Sequence, residues 1–116
     1  MSNSCECPDP PGGTQTCSDD QLAVCGYQNG KIVSGCFDRP QRVRLMRGTS
    51  AGRLALANWV ISKITGITRP HDSDLDDGVI GMLISGRYEN EQTGEVLTFS
   101  VPKDLDLPRY QTLSRR

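Results

Sequence analysis

All five cysteines of this 116-residue chain, Cys5, Cys7, Cys17, Cys25 and Cys36, lie in its first third. That stretch is rich in Pro, Gly and Asp and poor in large apolar side chains. A segment of this size and composition cannot close a hydrophobic core alone, so a metal ion or disulfides must hold it together. The fold of the N-terminal region therefore depends on what the sulfurs do.

The clearest local signal lies inside that region. Leu22-Ala23-Val24-Cys25-Gly26-Tyr27 and Ile32-Val33-Ser34-Gly35-Cys36-Phe37 flank Asn29-Gly30. Asn and Gly tolerate the positive φ of a type I′ turn, so the segment predicts a β-hairpin with those two as its loop. The turn sets the register: Gln28 faces Lys31, Tyr27 faces Ile32, Cys25 faces Ser34 and Ala23 faces Cys36. Facing residues share a sheet face, so Cys25 and Cys36 point to the same side. Gly26 and Gly35 are the positions where a bulge would break this register.

Two hairpin thiolates and the Cys5-x-Cys7 pair make a tetrahedral set. The reading is a structural zinc site of Cys5, Cys7, Cys25 and Cys36, with Cys17 as the alternate ligand. Four thiolates leave no open position for water, so such a zinc has no catalytic role. Two disulfides with one thiol left over form the rival arrangement, and an iron–sulfur cluster ranks below both.

Beyond the cysteines the pattern changes. Residues 1–20 read as irregular because of Pro8, Pro10, Pro11 and Gly12-Gly13. Arg42–Met46 alternates weakly and reads as a short strand. From Ser50, the spacing of Leu54, Ala57, Val60, Ile61 and Ile64 predicts the main helix, about 50–65, with Thr49 or Ser50 as N-cap and Gly66 as its stop. Val79–Ile84 reads as a short helix behind an acidic cap. Residues 86–101 read as a second hairpin, with Leu97, Phe99 and Val101 on one face. Residues 103–116 are charged and Pro-interrupted, and are expected to pack loosely. The expected class is α+β: a Cys-rich hairpin module over 1–38, then a small antiparallel sheet with one main helix over 39–116.

A formal net charge of -1 hides segregated blocks. Residues 39–69 hold Arg39, Arg42, Arg44, Arg47, Arg53, Lys63 and Arg69 with no acid, and acidic segments flank them on both sides. Either the block neutralises its neighbours inside the fold or it forms a basic face. On a strand, Arg42 and Arg44 would point to one side. Arg39, Arg42, Arg44, Arg47 and Arg53 are accordingly the candidate partner-binding residues, since guanidinium forks suit carboxylate and phosphate. Scarce aromatics and the slightly negative charge favour a protein partner or self-association over nucleic acid. The alternatives are a small nucleic-acid-binding regulator using the same arginines, or a metal-dependent enzyme using His71 with Asp72, Asp74, Asp76 and Asp77.

No apolar run approaches the roughly 20 residues of a membrane span. No charged start followed by an apolar stretch marks a leader, which points to the cytoplasm, where thiols stay reduced. A mature secreted chain reads the same way. The expectation is a non-enzymatic macromolecular-interaction protein with a structural metal site.

Overall fold

The computed structural model describes residues 2–9 and 12–109. Its elements are β1 (Ser2–Glu6), β2 (Thr14–Ser18), β3 (Gln21–Gln28), β4 (Lys31–Asp38), α1 (Gln41–Leu45), α2 (Ser50–Thr65), α3 (Asp77–Ser85), β5 (Arg87–Glu89), β6 (Val96–Ser100) and a 3₁₀ turn at Lys103–Leu105. The α+β class holds. β1 and β2 form an antiparallel hairpin, and β4-β3-β6-β5 form an antiparallel sheet.

The β3–β4 hairpin has the predicted register, from Gln28↔Lys31 through Cys25↔Ser34 to Ala23↔Cys36. Asn29 and Gly30 take φ of 55° and 77°, as a type I′ turn requires. The register runs unbroken past Gly26 and Gly35, so neither is a bulge. Gly26 serves a different need. A Cβ there would collide with the Val96 carbonyl, so only glycine lets β3 approach β6 this closely. Across the turn, the Glu95 carboxylate accepts from the Asn29 and Gly30 amides at 2.8 and 2.7 Å, fastening the hairpin tip to the start of β6.

β3 is the centre of the molecule. Leu22 and Val24 join Leu97 and Phe99 in the main core, where Leu56, Val60 and Ile64 of α2, Leu83 of α3 and Val43 of α1 meet them. The opposite face of β3 presents Ala23 and Cys25 to Cys5 and Cys17 of the β1–β2 hairpin. A strand covered on both faces is apolar without alternation, which is how Leu22–Cys25 reads in the sequence. The molecule thus has three layers: the small hairpin, the sheet, and the helices.

α2 has Thr49 as N-cap, its hydroxyl accepting from the Gly52 amide at 2.8 Å, and Gly66 as a left-handed C-cap. α3 starts at Asp76, which caps the Val79 amide at 2.8 Å, as the acidic run implied. Three local expectations change. Residues 2–6 and 14–18 are strands rather than irregular chain. Arg42–Met46 is not a strand: Pro40 takes the N-cap position and α1 follows. Leu105 is fully buried, so the chain remains packed through the 3₁₀ turn. Residues 110–116, the rest of the tail expected to be loose, lie outside the described residues.

Candidate functional site

The cysteines form two disulfides, Cys7–Cys25 and Cys17–Cys36, with Cα separations of 5.0 and 5.5 Å. Both separations fall in the range that a disulfide spans. This corrects the zinc reading. Cys25 and Cys36 do face the same side, but they sit two rungs apart, at Cys25↔Ser34 and Ala23↔Cys36. The N-terminal hairpin lies across both rungs. β2 brings Cys17 over Cys36, and the chain leaving β1 brings Cys7 over Cys25.

Three of the four proposed ligands and the alternate are therefore spent in covalent bonds. Among the described residues, no group of three or more His, Cys, Asp or Glu side chains could hold a metal ion. The zinc and iron–sulfur assignments fall together. So does the cytoplasmic expectation, because two structural disulfides belong to an oxidising, extracellular or secreted environment.

Cys5, not Cys17, is the odd thiol, and it is buried. Burial pushes its pKa up, and a hydrogen bond with Thr98 opposes that in part. A thiol held neutral and shielded in this way is inert. The Thr98 hydroxyl also lies 2.5 Å from the Glu6 carbonyl and 3.1 Å from the Cys25 carbonyl, and its one proton donated to Glu6 ties β1 to the sheet.

The arginine block divides into two groups. Arg39 leaves β4 and turns inward, its side chain 1 % exposed. Its Nη1 and Nη2 donate to the two Asp104 oxygens at 2.7 and 2.5 Å, and Nε lies 3.4 Å from Asp20. Arg47 donates to Asp20 and lies 3.7 Å from Asp104. Arg44 donates to the Arg39 carbonyl at 2.9 Å and lies 3.7 Å from Asp20. Here the basic block neutralises its acidic neighbours, one from each flank. Asp104 answers this field: the Arg39 hydrogen bond, outweighing desolvation, holds its carboxyl below the usual carboxylate range.

Arg42 and Arg53 behave differently. Arg42 bonds His71 Nε2 at 2.9 Å, and Arg53 bonds the Ser50 hydroxyl at 3.0 Å. Neither partner carries negative charge. Arginine has no acceptor, so His71 Nε2 accepts and the ring proton sits on Nδ1. Because residues 41–45 are helical, Arg42 and Arg44 diverge instead of sharing a strand face. Arg42 is paired at i, i+3 with Leu45, which exposes 77 % of its surface.

The acidic loop has structural duties. Asp76 caps α3, and the Asp74 carbonyl accepts from Arg69. Sequence reasoning did not single out Asn58, which is buried and donates to the Pro70 and His71 carbonyls at 3.2 and 3.3 Å. Its position within an otherwise apolar helical stripe was the available signal. Leu45 was also missed: on a strand it lies on the opposite side from Arg42 and Arg44, whereas the helix sets it one turn from Arg42.

Compared with known protein families, curated proteins and solved structures, the chain matches none.

Proposed function

We propose that this chain is a non-enzymatic protein-interaction module, braced by disulfides, whose contact face is α1 and the turn after it. The exposure of Leu45 carries this reading. A leucine 77 % open to solvent stands one helical turn from Arg42, with Arg44 and Arg47 beside it in the chain. An apolar knob set among guanidinium groups fits an acidic protein segment that offers an apolar contact of its own. Arg44 and Arg47 are half-exposed while their positions are fixed by Asp20 and Asp104, which lowers the entropy lost on binding. Nucleic acid is disfavoured, because α1 and the turn after it carry no aromatic side chain on which a base could stack.

The test is titration of a fluorescent acidic peptide with a central leucine, beside the same peptide with that leucine replaced by serine, and a DNA duplex. Preference for the leucine peptide, lost in Leu45→Asp and weakened in Arg42→Ala, supports the reading. Equal binding of both peptides, or tighter binding of the duplex with a steep salt dependence, overturns it.

A further inference from the structure

The sheet has two edges, β5 and β4, and they are built differently. β5 is three residues long, with exposed Arg87 and Glu89 at its ends. Shortness and charge are ordinary protection against strand addition. β4 is eight residues long, and Ile32–Phe37 contains no charge and no proline. Its unbroken register supplies no bulge to twist it away. In its place stands Ile32, 56 % exposed.

The hairpin turn dictates which backbone groups this edge offers. Gln28 and Lys31 close the two-residue loop as a hydrogen-bonded pair, so Lys31, Val33, Gly35 and Phe37 bond inward to β3. Ile32, Ser34, Cys36 and Asp38 turn their N–H and C=O groups outward. These residues also share the disulfide face of the sheet, whereas Val33 and Phe37 pack against the helical core.

We propose that β4 pairs antiparallel with β4 of a second copy of this chain, around a two-fold axis perpendicular to the sheet. Facing residues must share a sheet face, so only even-with-even and odd-with-odd registers are allowed. One of these engages all four outward residues: Ile32 faces Asp38 of the second copy, and Ser34 faces Cys36. Each such pair exchanges two backbone hydrogen bonds. On the helical face this register sets Val33 against Phe37 of the other copy, twice, with the two Gly35 residues meeting between them. The half-buried apolar residues of the two cores then become continuous. The axis uses up the unguarded edge and leaves the guarded β5 edges outside, so assembly stops at a dimer. This surface is separate from the α1 face, and the inference does not rest on the proposed function.

The experiment is sedimentation equilibrium of the intact, oxidised chain, with amide hydrogen exchange read residue by residue. The wild type is expected to reach twice the monomer mass as concentration rises, and the Ile32, Ser34 and Cys36 amides to slow by about tenfold or more. The register adds a charge test. Ile32→Glu sets like charges opposite Asp38 at both ends of the interface and is expected to weaken the dimer by about tenfold, whereas Ile32→Lys sets opposite charges there and retains it. Ser34→Pro removes only an outward donor and is expected to give a monomer. Ile67→Lys, at a residue 64 % exposed elsewhere, is expected to change nothing. A monomer at every concentration, larger species, equal loss in Ile32→Glu and Ile32→Lys, or a dimer without protection of the three amides would each overturn the proposal.

Discussion

Arg39 and Asp104 lie 65 residues apart and meet in a two-pronged ion pair at 2.7 and 2.5 Å. The pair ties the end of β4 to the 3₁₀ turn after β6. Arg39 brings a guanidinium into the interior, where only its bonds to acids make the charge tolerable. The Arg39 Nε, close to Asp20, adds β2–β3 turn chain to the same knot.

Replacing Asp104 by Asn leaves that guanidinium with Asp20 as its remaining acid. The expected loss is about 3 kcal/mol, the usual result of removing one partner of a buried pair. Urea unfolding followed by tryptophan fluorescence measures it. A loss no larger than that of an ordinary surface substitution contradicts the placement of Arg39.

The pair also imposes a pH dependence. Asp104 has a folded pKa below its unfolded value, so its contribution is complete at neutral pH. As pH falls below about 4, the unfolded chain takes up a proton first, and the contribution disappears as pH passes through the folded value. The stability gap between wild type and Asp104→Asn should therefore be constant near neutrality and shrink in acid. Denaturant midpoints across a pH series check the direction. A gap that widens in acid runs against it.

Two glycines should respond oppositely to alanine. A Cβ on Gly52 would overlap the Met46 carbonyl and come within 2.9 Å of the Thr49 hydroxyl, in a turn already held by the Thr49 cap. Gly52→Ala is expected to destabilise by about 3 kcal/mol. Gly81 lies within α3, where a Cβ would meet nothing within 4 Å. There alanine should stabilise by about 0.5–1 kcal/mol, by restricting the unfolded chain. Thermal melts of the two variants would show the opposite shifts, and equal shifts would mean that α1 does not abut α2 at Gly52.

The parts legible in the sequence were those governed by local rules. Asn29-Gly30 fixed a register that the sheet then kept, and Thr49 and Gly66 bounded α2 where capping chemistry places them. β1 and β2 were hidden because their inward positions are Asn3, Cys5 and Cys17 rather than large apolar residues. Asn3 is buried through its Nδ2 bonds to the Ser18 and Gln21 carbonyls, which no spacing rule reveals. α1 was read as a strand because Arg42–Leu45 alternates over too few residues to separate a period of two from one of 3.6. The arginine block looked uniform as a string of charges. Its division into internal pairs and exposed groups depends on Asp20 and Asp104, which arrive from distant segments.

The cysteine assignment erred for a related reason. Hairpin geometry correctly placed Cys25 and Cys36 on one face, and that invited a single site. Four thiolates around zinc and two disulfides satisfy the same local pattern. The difference lies in how the N-terminal hairpin crosses the sheet, a tertiary relationship that short-range spacing does not encode.

Peptide mapping by mass spectrometry of the denatured, unreduced protein, after blocking free thiols, addresses the construction of the whole N-terminal layer. The expected result is one alkylated cysteine, Cys5, modified only after unfolding, with linked peptides joining Cys7 to Cys25 and Cys17 to Cys36. Five alkylated cysteines, or a disulfide that includes the Cys5 sulfur, would contradict the disulfide-braced fold described above.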